Sequence, residues 1–559
     1  MSNDSTFDVA ILGAGLGGTV LGSILAKNGF RVVLLEKESH PRFAIGEAML
    51  PQSSMLLWIM GQRYGVPEIL NLAKTETIRE HVSPNCGIKR TIGFLYHDQE
   101  GKRQDPAKAH LLVPPATPIN SESHLFRQDV DLYMLKAAQG YGAEYRDRVE
   151  VTEFETGEDG VRLKLDNGEE LRARYLVDGS GFRSPVVTKL GLREEPSHLK
   201  TRSRSIFNHF RNVRFYDETL EEGEKPGLSA EWHHGTLHHI FDGGWFWVIP
   251  FDNGPGGENH LCSIGVTLDM TKHPERPDLT PEEEFWDIVN RYPSIAAHFA
   301  GAEPVRKWVR TGRLQYSSTT CLAERTFLLA HSYGFIDALY SRGFISTFET
   351  INALAGRLMD ALRADDFSRE RFDYVDRLQA AMLDANDRMV GDSYRAFSDY
   401  RLWNVWVRVW LANKLFGDFR LFRLCVKYLE TQDTAVFDLL DQDPLPGSLK
   451  PGEDELTDIY FAGQAMLDAY EQGLHSAEEA AQGALAIIGQ AKCLPPIHGW
   501  GDPAQRHLDF LPEKLGRFVM WGMNEAPPAI QRMFDFNPGV LGMGPPPGAP
   551  EPAQEMTVA

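Results

Sequence analysis

The feature that most constrains this chain is a glycine pattern that follows a short apolar run near its start. Gly13, Gly15 and Gly18 stand between a predicted strand at residues 7–13 and a predicted helix at residues 16–29. In this arrangement the glycines permit a tight turn, a close approach of the backbone to a pyrophosphate, and close helix–strand packing. The positive end of the helix dipole also favours phosphates. The opening of the chain therefore predicts a Rossmann-type nucleotide site.

An acidic residue ends the next predicted strand. Residues 31–36 are apolar after Arg31 and finish at Glu36. A carboxylate at this place accepts hydrogen bonds from a ribose diol and repels a 2′-phosphate. We therefore expect a nucleotide without a 2′-phosphate. The sequence contains no second strand–glycine–helix unit, which argues against a separate NAD(P)H domain.

Composition excludes several classes of protein. A chain of 559 residues is too long for one compact core. Its net charge of −21 disfavours binding to nucleic acid or to an anionic membrane. The five cysteines are scattered, which predicts buried free thiols in a reducing, cytoplasmic setting and no metal site. The aromatic stretch 402–426 contains too many charges to span a bilayer and predicts a packed amphipathic helix pair.

The remaining pattern predicts an α/β protein with three regions. Residues 1–365 read as the nucleotide-binding core, within which 200–320 is rich in short strands. Residues 366–520 read as a helical region, which we expect to cover the substrate entrance. Residues 540–559 are rich in proline and glycine and predict a disordered tail.

Four sequence blocks resemble, in the same order, those of the flavin-dependent halogenases. They are PRFAIGEAMLP at 41–51, NCGIKRTIGF at 85–94, WFWVIP at 245–250 and FIDALYSRG at 335–343. The resemblance implies the fold of the aromatic hydroxylase/halogenase superfamily. That fold has a FAD-binding Rossmann-type domain, a mostly antiparallel substrate sheet and a C-terminal helical region. It also implies FAD as cofactor, supplied as FADH2 by a separate flavin reductase, and chloride or bromide as the halide.

The resemblance also implies roles for individual residues. Lys89 corresponds to the catalytic lysine, with Lys74 as a nearby second candidate, and Glu47 could act as a base or orient the oxidant. A lysine suits hypohalous acid because its ammonium can hydrogen-bond the acid and its amine can form a haloamine, with burial tuning the pKa. Halide is expected at the backbone amides of Arg342 and Gly343. The predicted tunnel residues are Trp245, Trp247, Pro250 and Tyr340. The predicted cofactor contacts are Gly13, Gly15, Gly18, Glu36, Arg42, Arg127, Asp178, Gly181, His331 and Asp337.

Four residues at three places depart from the family pattern. Ala330-His331 stands where the family has Gly-Asp, and Ala338 replaces a proline. Tyr340 stands where tryptophan-specific members have a glutamate. The last difference favours a phenol, a pyrrole or an aromatic group on an acyl carrier protein as the substrate. Two alternatives stay open: an aromatic hydroxylase or geranylgeranyl-reductase-like enzyme, and a non-catalytic flavoprotein partner.

Overall fold

The computed structural model describes residues 6–115, 121–221, 228–442 and 454–541. The predicted tail at 540–559 therefore lies, apart from its first two residues, outside the described residues.

The predicted βαβ opening is confirmed and forms the centre of the nucleotide-binding sheet. Strand β1 (Phe7–Leu12) leads into helix α1 (Leu16–Lys27), which returns to strand β2 (Val32–Glu36). β1 is parallel to β2 on one side and to β10 on the other, and its residues are almost wholly buried. The other strands of this sheet are β7 (Glu144–Asp147), β8 (Val151–Gly157), β9 (Gly160–Leu165), β10 (Glu170–Asp178), β17 (Leu322–Ala323) and β18 (Thr326–Leu328).

A second sheet has mostly antiparallel neighbours, in the order β15-β11-β14-β13-β12-β4-β5-β19, with β16 beside β11. Its strands are β4 (Thr91–His97), β5 (Ala109–Val113), β11 (Ser203–Arg211), β12 (Gly235–Phe241), β13 (Gly244–Pro250), β14 (Cys262–Asp269), β15 (Glu303–Pro304), β16 (Val309–Arg310) and β19 (His507–Asp509). The pairs β4–β12 and β5–β19 are parallel. The strands β4, β5 and β19 were not predicted from the sequence. β4 is buried on both faces and so lacks the usual polar–apolar alternation.

A small two-stranded sheet brings together segments that are distant in the sequence. Its strands β3 (Gly87–Ile88) and β6 (Ser123–His124) are antiparallel. The pairing continues on both sides, since the Lys89 amide donates to the Glu122 carbonyl at 3.0 Å and the Leu125 amide donates to the Glu47 carbonyl at 2.7 Å. The backbone of this sheet thus aligns the segments that carry Glu47, Lys89 and Glu122.

Helices surround the sheets. They are α2 (Pro51–Tyr64), α3 (Pro67–Leu70), α4 (Thr75–Thr77), α5 (Arg127–Gly140), α6 (Pro185–Leu190), α7 (Pro281–Arg291), α8 (Pro293–His298), α9 (Arg342–Ala364), α10 (Asp373–Ala396), α11 (Tyr400–Thr431), α12 (Asp454–Glu471), α13 (Ala477–Gln490), α14 (Pro512–Asn524) and α15 (Pro528–Gln531).

The predicted helix pair within 402–426 is wrong, because this stretch forms one continuous helix, α11, of 32 residues. It contains no proline, and its interior glycine, Gly417, is buried within the helix instead of ending it. Of the helices that the structure describes, none combines the length and the apolar character that a membrane crossing needs. All five cysteines are buried and free, as predicted.

Candidate functional site

The glycine turn opens into a cavity of about 440 Å³. Gly13 has a φ of +88°, and a Cβ atom there would lie 2.7 Å from the Gly179 carbonyl oxygen. Gly15 lines the cavity, and a Cβ on it would lie 3.3 Å from a guanidinium nitrogen of Arg42. The Nε of Arg42 is buried without a hydrogen-bond partner in the described part of the chain. A backbone cradle beside an arginine with one unpartnered N–H group fits the pyrophosphate of a dinucleotide.

The predicted ribose contact, Glu36, is buried at the end of β2 and is held by its own neighbours. Its carboxylate accepts from the amides of Ala14 at 3.0 Å and Glu38 at 3.1 Å and pairs with Arg42 at 3.1 Å. Burial alone would raise the pKa of Glu36, but the Arg42 charge and the backbone donors hold it below its usual value. The ionised carboxylate suits a ribose diol.

The other predicted cofactor contacts divide into two groups. Arg127 and Asp337 line the cavity, and both are fixed by hydrogen bonds: Arg127 donates to Asp131 and to the carbonyls of Ile45 and Gly46. Asp178 is instead fully buried and does not line the cavity. Its carboxylate accepts from three serine hydroxyls, those of Ser180, Ser184 and Ser332. Gly179 lines the cavity, whereas the Gly181 amide donates to Ser332.

His331, which replaces the family's aspartate, also faces the cavity. Its side chain is accessible from the cavity, yet the surrounding protein and the Arg127 charge lower the pKa of the imidazole to about 4. The ring is therefore neutral at pH 7. It can donate a hydrogen bond to a sugar hydroxyl or accept one from it.

The predicted halide site lies where α9 begins. Tyr340 and Ser341 have φ values of +71° and +51°, so the chain turns sharply before it enters the helix at Arg342. The amides of Arg342 and Gly343 belong to the first turn of a helix of 23 residues and have no intrahelical acceptor. The positive end of the helix dipole adds to their attraction for an anion. Gly343 lines the cavity, so an anion held here would lie in the flavin compartment.

Lys89 is almost fully buried, with 2% of its surface exposed. Its Nζ lies 3.5 Å from Oγ of Ser341, which makes no capping hydrogen bond to α9. Burial lowers the pKa of Lys89 to about 7; the Glu122 charge opposes this shift and the Lys414 charge adds to it. Near neutral pH the side chain can therefore be an ammonium or an amine. The second candidate, Lys74, is only partly buried and lines none of the cavities described here.

Two buried histidines lie close enough to Lys89 for its charge to lower their pKa values. Nδ1 of His124 donates to the Pro250 carbonyl and its Nε2 accepts from the Thr236 hydroxyl, while His238 donates to the Gly93 carbonyl. Burial lowers the pKa of both rings to about 3. Both histidines are neutral at pH 7, which leaves Lys89 as the titrating base among these three.

Glu47 lies in the wall of the flavin cavity and is 2% exposed. Its carboxylate accepts from Nε2 of His209 at 2.9 Å, while Nε of Arg306 donates to Nδ1 of the same ring at 3.1 Å. The guanidinium can only donate, so the histidine proton must be on Nε2. These two hydrogen bonds hold the Glu47 carboxylate in the orientation that faces the cavity.

The tryptophan motif forms part of the wall of the same cavity. On β13, Trp245, Trp247 and Ile249 face the cavity, while the alternate residues Phe246 and Val248 pack into a second apolar core. The indole N–H groups donate to Tyr394 and to Ser263 respectively, so no indole donor is left free for a ligand. The wall toward the cavity is therefore apolar.

The other two predicted tunnel residues lie elsewhere. The Pro250 carbonyl accepts from His124, and the proline ring is outside the cavity lining. Tyr340 stacks on Trp410 of α11, with ring centres 4.5 Å apart, and its hydroxyl pairs with Ser393. Tyr340 thus packs residues 335–343, called the halide loop below, against the C-terminal helices. It does not face the flavin cavity.

A second, apolar cleft lies between β5, α2, α11 and α14. Leu112, Phe419 and Phe510 contribute to its lining, and its charged lining residues are Lys414 and Asp418. In the sequence, these two charges counted only as evidence against a membrane-spanning helix. Their spacing of four residues could have predicted that both side chains lie on one face of a helix and form an ion pair. Glu122, His209 and Ser341 were also not predicted, since their roles arise from contacts between distant segments.

Comparison with known proteins places this geometry among flavoproteins. The family model described as FAD binding domain matches residues 6–260. The chain is 43% identical over 539 residues to tetracycline 7-halogenase of Kitasatospora aureofaciens, and the match covers 95% of each chain. It is 41% identical over 539 residues to monodechloroaminopyrrolnitrin halogenase of Pseudomonas fluorescens, which covers 95% of this chain and 94% of that protein.

The fold is similar to that of halogenase PltM in the crystal structure of its complex with phloroglucinol and FAD. The TM-score is 0.85 at 35% sequence identity, and the match covers 90% of this chain and 99% of that one. The similarity thus includes the C-terminal helices as well as the nucleotide-binding core.

Proposed function

This chain belongs to the flavin-dependent halogenases, and we propose that it halogenates an electron-rich aromatic compound through Lys89. The enzyme binds FAD and uses halide, as its family does. The observation that carries the proposal is the position of Lys89, which is buried and lies beside Ser341, the residue of the halide loop that directly precedes α9.

The residues around the flavin cavity have complementary tasks. Bound reduced flavin would supply the electrons that activate oxygen, and the activated oxygen would oxidise halide to hypohalous acid with release of water. The amides of Arg342 and Gly343 hold the halide at the positive end of α9. The apolar wall formed by Trp245 and Trp247 keeps the organic substrate away from the flavin.

Lys89 then directs the oxidised halogen to the substrate. As an amine it attacks the halogen of hypohalous acid, which forms a haloamine and releases water. The aromatic ring takes the halogen from the haloamine, and the ring proton returns to the nitrogen. As an ammonium, Lys89 instead donates a hydrogen bond to hypohalous acid and increases its reactivity. A pKa of about 7 supports either form near neutral pH.

We infer that the substrate is a phenol or a pyrrole-type ring and not free tryptophan. Tyr340 occupies the position of the glutamate of tryptophan-specific members and pairs with Ser393. Two relatives that match this chain over nearly its full length are named for tetracycline and monodechloroaminopyrrolnitrin, and PltM binds phloroglucinol. These names favour a free small molecule over a carrier-tethered group.

We also propose that a separate flavin reductase supplies FADH2. In the described part of the chain, the βαβ unit at β1 is the dinucleotide fold that the structure provides, and FAD would occupy it.

The test is a reconstituted reaction with FAD, a flavin reductase, NADH, oxygen and either chloride or bromide, on a panel of phenols and pyrroles. The expected result is a halide-dependent product whose mass differs between chloride and bromide. A product that gains one oxygen without halide would support a hydroxylase instead.

A further inference from the structure

The cleft beside α11 is almost entirely apolar except for one ion pair. Leu112, Phe419 and Trp500 contribute to its lining, and Lys414 and Asp418 are its charged members. Charged side chains are rarely placed in an apolar cleft unless they have a partner or a ligand.

Only half of the Asp418 carboxylate is used by the protein. Its Oδ2 accepts from Nζ of Lys414 at 2.5 Å. Its Oδ1 is buried, and no donor among the residues that the structure describes reaches it. A buried acceptor without a partner is unfavourable, so a ligand that donates a hydrogen bond would be stabilised here.

The ion pair also connects the cleft with the halogenation site. Lys414 is close enough to Lys89 and Glu122 for its charge to influence both groups. Asp418 is likewise within electrostatic range of Arg342 at the start of α9. A donor group hydrogen-bonded to Oδ1 of Asp418 would therefore lie beside an ion pair whose lysine charge acts on Lys89.

We propose that Asp418 selects the substrate by accepting a hydrogen bond from a hydroxyl or N–H group on the aromatic ring, while Lys414 holds the carboxylate in place. This inference rests on the proposed halogenase function and adds to it a substrate class, the donor-bearing arenes. The cleft measures about 50 Å³ without a ligand. That volume is below the roughly 150 Å³ of a cavity that binds benzene, so the aromatic side chains of the lining must move to admit a ring.

The chain offers a matched control. Lys514 donates to Oδ2 of Asp509 at 2.8 Å, and Oδ1 of Asp509 is likewise buried and unpartnered within the described residues. Asp509 lies between Leu508 and Phe510, which line the cleft, but it does not line the cleft itself. Asp509→Asn therefore removes a similar charge next to the cleft without changing the proposed acceptor.

The experiment compares 3-methoxyphenol with 1,3-dimethoxybenzene, which have similarly activated rings but differ in one donor. The ratio of their kcat/KM values is measured in the native enzyme and in Asp418→Leu, Asp418→Asn and Asp509→Asn. We expect the preference for the phenol to fall at least tenfold in Asp418→Leu and less in Asp418→Asn, which keeps an acceptor oxygen. Asp509→Asn should stay within twofold of the native enzyme. An unchanged ratio in Asp418→Leu would overturn the inference.

A binding measurement separates this inference from the proposed function. Calorimetric titration of 3-methoxyphenol into the FAD-loaded enzyme, without reductant, needs no turnover. Asp418→Leu should weaken binding at least tenfold, and equal affinity would contradict the role of Asp418. If the native enzyme binds the phenol through Asp418 but halogenates no substrate, the proposed function fails while the binding site stands. Loss of FAD binding in Asp418→Leu would show that Asp418 is structural, which would also contradict the proposal.

Discussion

Nζ of Lys89 lies 3.5 Å from Oγ of Ser341, the residue that immediately precedes the first helical amides of α9. The lysine directly follows β3 of the small two-stranded sheet, and the serine belongs to the halide loop. This contact places the proposed halogen carrier next to the proposed halide site. Ser341 makes no capping hydrogen bond to α9, and its left-handed backbone differs from the extended backbone of a capping residue.

The first prediction concerns the halide loop. A Cβ on Gly343 would lie 3.3 Å from Nε2 of His331 and would narrow the space beside the proposed halide amide. Gly343→Ala should raise the apparent KM for chloride and bromide at least fivefold, with FAD affinity changed less than twofold. Steady-state kinetics at varied halide measure the first effect, and flavin fluorescence measures the second.

Gly356→Ala is the control in the same helix, where a Cβ would make an ordinary contact 3.6 Å from the Tyr64 hydroxyl. It should leave the halide KM unchanged and stabilise α9 by about 0.5–1 kcal/mol. Equal halide KM values in Gly343→Ala and the native enzyme would argue against halide binding at this loop.

The second prediction concerns the pH dependence that Glu122 imposes. Burial raises the pKa of Glu122 to about 7, against the Lys414 and Lys89 charges, and its anion in turn raises the pKa of Lys89. Glu122→Gln removes that anion while the Lys414 charge stays, so the pKa of Lys89 should fall. If the amine form reacts, the rising limb of the halogenation rate should move toward acid pH by about one unit.

Single-turnover rates between pH 5 and 9 test this shift. His124 and His238, which also lie near Lys89, are neutral over this range and cannot produce the same limb. The exposed Glu76 provides the control, because Glu76→Gln should leave the profile unchanged. A profile that moves toward alkaline pH in Glu122→Gln would contradict the proposed pairing.

The sequence predicted much of the fold because its signals are local. The glycine turn after an apolar strand predicted β1, α1 and β2, and the four blocks predicted the family and FAD, all of which are confirmed. The role of Lys89, which the same blocks indicate, stays a prediction. The contact of Lys89 with Ser341 and the electrostatic effect of Lys414 on Lys89 could not be predicted, because they join segments that are far apart in the chain. The carboxylate of Asp178 shows the same limit: its motif indicated a place near the flavin, but the hydrogen bonds of three serines decide which way it points.

The third prediction concerns the Glu47 carboxylate in the flavin cavity. Glu47→Gln keeps the shape of the side chain but removes the charge that His209 supports at 2.9 Å. If Glu47 moves a proton or orients the oxidant, halogenation should fall by about 10²-fold or more. FAD binding should persist. Product analysis together with flavin fluorescence measures both.

Glu284→Gln is the matched control, because Glu284 is also 2% exposed but pairs with Arg204 outside the cavity. It should lower thermal stability without a specific effect on halogenation per bound flavin. Normal halogenation by Glu47→Gln would leave Glu47 with a structural role only.

The most direct test of the account is Lys89→Ala in the reconstituted reaction, with flavin binding, oxygen consumption and product measured together. Halogenation should fall about 10²-fold or more, on the scale of losing a positioned proton donor. FAD binding and oxygen consumption should continue. Lys89→Arg should not restore activity, because a guanidinium stays charged and cannot form a haloamine, and Lys74→Ala should behave like the native enzyme. Normal halogenation by Lys89→Ala would contradict the central claim, and loss of FAD binding in that variant would make Lys89 a structural residue.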